Sequence, residues 1–538
     1  MQVKRLDQTE THERLKACAR AMAQPAKHLK HLIVAPDRLE SFSSYGGGLF
    51  FDYSRQRLDK ETREELVQLA QGLQLHQRFD QMCSGEMINV TEKRAVLHTA
   101  ARSFDNQPVR VDAQDVIPDI ARVREEIKNF SAKVHQGTIT GSTGRPIQHV
   151  VVVGIGGSYL GTEFVSTALQ AFADKHIQLH YLSNVDIHNF GALVERIDPA
   201  GTLWVIISKS FTTAETMANT AQVETYMRDQ GLDPARHMVT VTAKGSPGDD
   251  PDRPVLQSFH MFDFIGGRFS VTSAVGGVPL SLFLGYERFE EFLQGANEMD
   301  RHARSAPVLG NLPLLAALIS VWNTNYLGYP QQAIIPYASP LAKLAPHVQQ
   351  LNMESNGKAV DLQGRFLPAP AGVIIFGEPG TNAQHSFFQL AHQGKPFPID
   401  FIGVRTPQYP QFRSMSKGVT NHQELWANML AQATALAVGK DDPDAARHFT
   451  GNRPSSTIVL SDLSPRNIGR LLSFYEARTV YEGFIWGVNS FDQFGVQLGK
   501  TVASDLRRRI AERNRDKNVQ FSDLDPISNF YLKMLFDA

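Results

Sequence analysis

The sequence predicts an α/β protein in which helices cover both faces of two mainly parallel sheets, and three observations support this prediction. From about residue 116, short β-branched apolar runs alternate with helical stretches. The same alternation resumes after a helical region at 286–328. Glycine-containing polar segments follow several of the apolar runs, and ligands of parallel sheets bind beyond the carboxyl ends of the strands.

The elements can be predicted in chain order. Helical periodicity occurs at His12–Gln24 and Lys60–Gln74, with a short strand predicted at Leu49–Tyr53. Buried strands are then predicted at His149–Val153, Gln178–Ser183, Thr202–Ser208, His237–Thr242, Gln332–Tyr337, Gly372–Phe376, Ile399–Val404 and Ser456–Leu460. Ser464 before Pro465 predicts the start of a long helix. Asn489–Gly495 interrupts that helix, and a second one follows with Leu498, Val502, Leu506 and Ile510 on one stripe.

This order predicts four regions. Residues 1–115 are expected to be a mostly helical segment that packs on the large domain. Residues 116–285 form a first α/β domain and 286–500 a second, each with its own sheet. Residues 501–538 form a helical tail, to which the triplet Arg507–Arg509 contributes a solvated side.

Composition limits the classes of function. The chain has 538 residues, 42% of them hydrophobic and 20% charged, which is typical of a soluble globular protein. A formal net charge of −1 gives no global electrostatic argument for nucleic acid or an anionic membrane. Two cysteines are too few for a disulfide framework or a zinc cluster. Without a signal-peptide pattern or a run long enough to span a bilayer, the expected location is the cytoplasm.

The segment QLNMESNGK at 350–358 is the most informative part of the chain. It places the carboxylate of Glu354 among amides, a hydroxyl and a lysine. Amides can hold a carboxylate in position without the neutralising effect of a close cation, as a general base requires. We therefore predict that Glu354 is a base.

Two loops that follow strands are candidate anion sites. GIGGSYLG at 154–161 can direct backbone N–H groups at an anion, or can be a tight turn whose glycines serve packing. Tyr159 breaks the GxGxxG pattern, so NAD binding is rejected. SKSFTT at 208–213 offers four hydroxyls and an ammonium at a strand-to-helix junction. We predict that this segment is a phosphate-binding loop. The alternative is that its hydroxyls serve only as an N-cap of the following helix.

Three further segments carry candidate catalytic groups. Arg268 follows two glycines, so it can approach a ligand closely and stabilise negative charge, or it can be a surface residue of a turn. His385 is expected near a helix start, and a metal pair with His392 lacks an HExxH pattern or a cysteine partner. Lys500 lies in a segment that is not a P-loop, because Phe494 stands where glycine is required. The alternative to a role in ligand binding is that Lys500 is simply an exposed lysine.

These segments together suit proton abstraction beside a carbonyl in a phosphorylated small molecule. They offer an anion-binding loop, a carboxylate, a histidine, an arginine and a lysine. The arginine would balance the charge of an enediolate.

Six segments, in order, resemble the glucose-6-phosphate isomerase family. They are GIGGSYLG at 154–161, SKSFTTAET at 208–216, GGRFS at 266–270, QQLNMESNGK at 349–358, GTNAQHSFFQLAHQG at 380–394 and FDQFGVQLGK at 491–500. The resemblance implies two sugar-isomerase (SIS) domains, a homodimer, and interconversion of glucose 6-phosphate and fructose 6-phosphate through a cis-enediol(ate), with neither cofactor nor metal.

The resemblance also implies roles for individual residues. His385, helped by Lys500, would open the sugar ring, and Glu354 would move the proton between C2 and C1. Arg268 would stabilise the intermediate. The histidine would reach the site of the partner subunit. The residues implied in substrate binding are Gly157, Ser158, Ser208, Lys209, Ser210, Thr213, Gln350 and Gln493.

Two alternatives stay open. One is another SIS-fold aldose–ketose isomerase, or an enzyme that also accepts mannose 6-phosphate, because the stereochemistry of one hydroxyl cannot be read from sequence. The other is a non-catalytic sugar-phosphate sensor, which would need the phosphate-binding loop at 208–213 but not Glu354, His385 and Lys500.

Overall fold

The computed structural model describes residues 4–105, 107–369 and 371–536. It divides into a large unit, Met1–Phe491, and a C-terminal unit, Asp492–Ala538. The helices of the large unit are α1 (Glu10–Met22), α2 (Leu29–Leu32), α3 (Arg38–Ser41), α4 (Lys60–Gly72), α5 (Leu75–Cys83), α6 (Ile117–His135), α7 (Leu160–Ala168), α8 (Ile187–Val194), α9 (Ala214–Asp229), α10 (Ala274–Leu284), α11 (Tyr286–Ser305), α12 (Leu312–Val321), α13 (Leu344–Val348), α14 (Phe388–Gln393), α15 (Asn421–Val438) and α16 (Pro465–Trp486).

The strands also carry labels in chain order. They are β1 (Ser43–Gly46), β2 (Leu49–Asp52), β3 (Arg110–Val111), β4 (Gln114–Asp115), β5 (His149–Val153), β6 (Gln178–Leu182), β7 (Thr202–Ile207), β8 (Met238–Ala243), β9 (Gln257–Met261), β10 (Gln331–Pro336), β11 (Ile374–Phe376), β12 (Ile399–Val404), β13 (Met415–Ser416), β14 (Val419–Thr420) and β15 (Ser455–Leu460).

The first sheet has the strand order β6-β5-β7-β8-β9, and all of its pairs are parallel. Strand β7 lies at its centre with β5 beside it, and both are apolar and largely buried. Such runs are expected where helices cover both faces of a sheet. The prediction of a parallel α/β sheet is confirmed here, although β9 was not foreseen.

The second sheet has the order β1-β2-β15-β12-β10-β11. Its four later strands pair in parallel, whereas the hairpin β1–β2 is antiparallel and joins the edge at β15. The strand predicted at Leu49–Tyr53 is β2, and its pairing places part of the N-terminal region inside a sheet. Two small hairpins, β3–β4 and β13–β14, lie outside the two main sheets.

Helix α16 is the most enclosed of the long helices. Nearly every residue of its 22 is buried, including three that carry charge. It packs along α11, and the two backbones approach closely at glycines. A Cβ on Gly469 of α16 would overlap the carbonyl oxygen of Phe292, and a Cβ on Gly295 of α11 would overlap that of Arg466. The small residues therefore set the spacing of this helix pair.

The C-terminal unit contains α17 (Phe494–Arg515) and α18 (Pro526–Phe536). Arg509 of α17 bonds Asp505 at 2.7 Å, and Phe521 stacks on Phe536 with ring centroids 5.8 Å apart. Helix α17 includes the stripe predicted from Leu498 to Ile510. Across the described residues, we find no helix with the length and apolar character needed to span a membrane.

Replacing Gly469 with alanine should destabilise the protein. The added methyl group overlaps the backbone of α11, and overpacking of this kind costs about 1–3 kcal/mol. The measurement is the midpoint of thermal unfolding at one scan rate. Gly191→Ala is the matched control, because a Cβ there meets no atom within 4 Å and alanine favours a helix. Equal midpoints for the two variants would contradict the close helix approach.

Candidate active site

The candidate site begins at the carboxyl ends of β5 and β7, which are neighbours in the first sheet. Strand β5 leads through Gly154 into a 3₁₀ turn at Gly156–Ser158 and then into α7. Strand β7 leads into Ser208–Thr213 and then into α9. Because parallel neighbours end at the same edge, the two anion-type loops lie side by side, where α/β sheets bind ligands.

The loop after β7 presents hydroxyl groups at a helix start. Ser208 Oγ donates to Thr213 Oγ1 at 3.3 Å, and the hydroxyls of Ser210 and Thr212 lie 2.7 Å apart. Phe211 between them has φ +52°, in the left-handed region of backbone conformation. Thr213 is the N-cap of α9, yet its side chain makes no capping bond. Its helix N-terminus therefore keeps N–H groups available to an anion.

The side chain of Lys209 is directed at another segment. Its Nζ donates to the carbonyl oxygens of Asp263 at 3.0 Å and Ile265 at 3.4 Å, and lies 3.3 Å from the Asp263 carboxylate. Burial lowers the pKa of Lys209 below its usual value, and Asp263 opposes that change. The structure thus ties the ammonium to residues 263–265, an arrangement that the sequence pattern did not foresee.

The loop after β5 contacts two other segments through glycine backbone. A Cβ on Gly157 would overlap the carbonyl group of Gly267 and come within 2.7 Å of the Arg268 nitrogen. Ser270 Oγ donates to the Gly157 carbonyl at 3.3 Å. Gly156 has φ +57°, and a Cβ there would lie 3.1 Å from Gln350 Nε2. The segments 154–158, 266–270 and 350–354 therefore converge.

Glu354 lies at the end of the third of these segments and is close to Arg268 of the second. It ends a π-helical segment, Gln349–Glu354, that continues from α13. Gln350 Nε2 donates to Glu354 Oε2 at 3.0 Å, as the amide-rich sequence predicted. The Glu354 side chain is 17% exposed, so the carboxylate retains access to a ligand.

The expectation that Glu354 has no close cation is wrong. Arg268 Nη1 lies 3.5 Å from Glu354 Oε2, and the arginine side chain is only 1% exposed. The cause is the way in which the guanidinium is held. Nε donates to Ser355 Oγ at 2.7 Å and Nη2 donates to the Ser490 carbonyl at 2.6 Å, which turns Nη1 toward the carboxylate. Arg268 is therefore a buried residue of the site and not a surface residue of a turn.

The remaining predicted residues lie elsewhere in the chain. His385 ends the 3₁₀ turn Asn382–His385, which follows the carboxyl end of β11, and its side chain is exposed. Lys500 and Gln493 belong to the C-terminal unit, where Lys500 is exposed on α17. The roles of these three residues stay predictions. His392 contacts Gln432, with Nε2 2.8 Å from Oε1.

Within the described ranges, no group of three or more His, Cys, Asp or Glu side chains is arranged to hold a metal ion.

Sequence reasoning placed amides and a hydroxyl around Glu354 but did not foresee what they contact. Asn352 and Asn356 lie two residues before and after it, and both are buried with hydrogen-bonded amides. Ser355 and Ser490 hold Arg268. The placement of two asparagines symmetrically about the carboxylate was a usable signal, whereas Ser490 is distant in sequence and gave none.

Comparisons of the sequence with known proteins all give the same family. The model of a family described as phosphoglucose isomerase matches residues 52–526. The chain is 62% identical over 539 residues to a glucose-6-phosphate isomerase of Desulfosudis oleivorans, covering 99% of each chain. It is 44% identical over 506 residues to a cytosolic glucose-6-phosphate isomerase of Spinacia oleracea, covering 90% of this chain and 88% of that one.

A solved structure is similar over the same extent. The crystal structure of a glucose-6-phosphate isomerase from Chlamydia trachomatis superposes with a TM-score of 0.90 at 36% identity and covers 99% of each chain. Fold and site together thus define an enzyme class, the α/β aldose–ketose isomerases of sugar phosphates. Within that class, the chain belongs to the phosphoglucose isomerase family, so the resemblance of the six motifs is confirmed.

Replacing Gly157 with alanine should sharply reduce turnover, by about 10²-fold, because the methyl group must displace the backbone at 267–268 and with it Arg268. The measurement is the steady-state rate with fructose 6-phosphate. Gly144→Ala is the control on the loop that precedes β5, where a Cβ meets no atom within 4 Å although the positive φ costs some stability. Wild-type turnover in Gly157→Ala would show that the loop contact does not position the arginine.

Proposed function

We propose that this chain interconverts glucose 6-phosphate and fructose 6-phosphate with Glu354 as the base that moves the proton between C2 and C1. The reversible isomerisation, a step of glycolysis and gluconeogenesis, is the reaction of its family. The observation that carries the assignment of Glu354 is its geometry. The carboxylate is held by Gln350, lies beside the buried Arg268 and remains partly open.

The pairing with Arg268 suits this chemistry. Removing the proton at C2 leaves an enediol(ate), whose negative charge develops on the two sugar oxygens. A guanidinium that is buried and already oriented stabilises such charge without reorganising. The 3.5 Å separation, with the arginine committed to Ser355 and Ser490, lets it serve both the carboxylate and the intermediate.

The phosphate would bind at the edge formed by the two loops of the first sheet. Ser208, Ser210 and Thr213 supply hydroxyls, and the N-terminus of α9 supplies N–H groups. Gly157 and Ser158 line the neighbouring loop. With its ammonium on Asp263, Lys209 would contribute through its backbone N–H and its local positive charge. This arrangement would hold one end of the sugar while its other end reaches Glu354.

Ring opening is assigned to His385 with the help of Lys500, while Gln350 and Gln493 position the substrate. An imidazole can both accept and donate a proton, as transfer between the ring oxygen and the C1 hydroxyl requires. We further propose a homodimer in which His385 acts in the site of the partner subunit. Its exposure on the turn Asn382–His385 supports this assignment.

No cofactor or metal enters the proposed reaction, and activity in the presence of EDTA is the corresponding expectation. We also propose a cytoplasmic location and the division into four regions, 1–115, 116–285, 286–500 and 501–538. The naming of plant relatives as cytosolic supports the location.

Replacing Glu354 with glutamine should lower kcat by about 10²–10⁴-fold, the usual contribution of a general base, while a phosphorylated sugar acid that mimics the enediolate still binds. Turnover is measured with fructose 6-phosphate in the presence of EDTA, and binding by calorimetry. Glu195→Gln, at an exposed carboxylate, is the control and should keep wild-type turnover.

Near-normal turnover of Glu354→Gln would overturn the assignment of the base. If the wild-type protein binds the sugar acid but turns over no substrate, the non-catalytic sensor becomes the better function.

Mixing two inactive variants tests the proposed role of the partner. A hybrid of His385→Ala and Glu354→Gln subunits contains one site with both native groups only if the histidine comes from the other subunit. After co-refolding at equal amounts, activity should recover to about a quarter of the wild-type value, because half of the dimers are hybrids with one intact site each. Absence of recovery in hybrids shown to form would place His385 in the site of its own subunit.

A further inference from the structure

The segment that carries Glu354 is anchored from behind by a second carboxylate, Glu482 of α16. Glu482 Oε2 accepts from Asn352 Nδ2 at 2.5 Å and faces Asn356 Nδ2 at 3.4 Å. These asparagines bracket Glu354, two residues before and two after it. One carboxylate oxygen thus contacts a residue within the π-helical segment and another just after its end, on either side of Glu354. Such wide turns are uncommon and occur often at functional sites.

Glu482 is itself fixed by a buried network. Its side chain is 0% exposed, and its Oε1 accepts from Arg478 Nε at 2.9 Å. Arg478 also bonds Asp400 Oδ2 at 2.7 Å and donates to Gln332. A buried carboxylate is tolerated only where partners compensate its lost hydration. The charge of Glu482 is therefore compensated by Arg478 on one side and by the asparagine amides on the other.

The same network also connects to Arg268, through Asn356 and Ser490. Asn356 Nδ2 donates to the Thr479 carbonyl at 2.9 Å, and Asn356 Oδ1 accepts from Ser490 Oγ at 2.7 Å. The Ser490 carbonyl accepts from Arg268 Nη2. Gly483, next to Glu482, permits this approach, because a Cβ there would overlap Ser490 Oγ and lie 2.9 Å from Asn356 Oδ1.

We propose that Glu482 is a positioning residue for the reaction. By holding Asn352 and Asn356, it fixes the backbone turn that aims the Glu354 carboxylate at the substrate, and through Ser490 it keeps that carboxylate in register with Arg268. This inference rests on the proposed function of Glu354 as the base. Glu482 is fully buried and offers no surface to a substrate, so its replacement should affect the chemical step and leave the phosphate loops unchanged.

Glu482→Gln is the principal test. The amide keeps the size of the side chain but turns donor groups toward the donors of Arg478 and the asparagines, so the segment at 349–356 loses its anchor. We expect kcat to fall by about 10²-fold, the loss that a displacement of about 1 Å produces. The KM for fructose 6-phosphate and the affinity for the sugar acid should stay within about twofold, because the phosphate site is intact.

Glu476→Gln is the matched control on the same helix. Glu476 is also 0% exposed and bonds a buried arginine, Arg102, which Asp300 binds as well at 2.6 Å. Burial raises the pKa of Glu476 to about 7, and Arg102 opposes that change. The control should lose thermal stability, because Arg102 loses one of its two carboxylate partners, but it should keep its kcat.

Asn352→Ala removes the hydrogen bond between Asn352 and Glu482 by changing the donor instead of the acceptor. This variant replaces Glu482→Gln as the test if Glu482→Gln does not fold. It should lower kcat in the same direction. The double variant should lose little more than the larger single loss, because the two residues act through one hydrogen bond. Hydrogen exchange of a peptide covering 349–357 should rise in both variants and stay at the wild-type level in Glu476→Gln.

Equal kcat losses in Glu482→Gln and Glu476→Gln would reduce Glu482 to a structural residue and overturn the inference. So would a wild-type kcat in a folded Glu482→Gln or Asn352→Ala, or additive losses in the double variant. Failure of the proposed function is distinguishable from all of these, because it appears as an active Glu354→Gln variant.

Discussion

Burial of helix α16 along nearly its whole length is the constraint on which much of this structure depends. The helix carries Glu476, Arg478 and Glu482 into an environment without water, and each must find a partner of opposite charge or a strong hydrogen bond. Their partners come from different parts of the chain. Arg102 comes from the N-terminal region, Asp400 from β12 and Asn352 from the segment of Glu354. Satisfying the charges of one helix thus connects these three regions within the large unit.

The site is built by close backbone approach as much as by charge. Gly157 lies against Gly267, and Gly483 lies against Asn356 and Ser490. At each place a side chain would separate two segments that must touch. The polar groups around Glu354 are consequently held by main chain and by buried side chains such as Arg268, while the carboxylate of Glu354 stays partly exposed. Rigidity around one accessible group is the arrangement that a general base needs.

Much of the fold could be predicted because its signals are local. The strands β5, β7 and β12 are apolar runs bounded by polar turns, and their predicted limits agree with the structure to within one residue. The pairing of β2 with β15 could not be predicted, because it depends on contacts distant in sequence. Strand β9 was missed because its sequence, QSFHM, is not a continuous apolar run. The segment of Glu354 was recognised from its composition. Its π-helical turn and the closeness of Arg268 depend on residues such as Ser490 and Glu482, which no local pattern connects to it.

The hairpin β1–β2 has a consequence for the order in which a newly made chain can fold. Its partner strand β15 is one of the last elements of the large unit, and Gln56 bonds Ser456, 400 residues further along. While the ribosome is still making the intervening residues, β2 has an unpaired edge that can bind other strands. The second sheet closes only after synthesis is almost complete, so its assembly is effectively post-translational. The first sheet contains no strand from outside residues 149–261 and can pair its strands earlier.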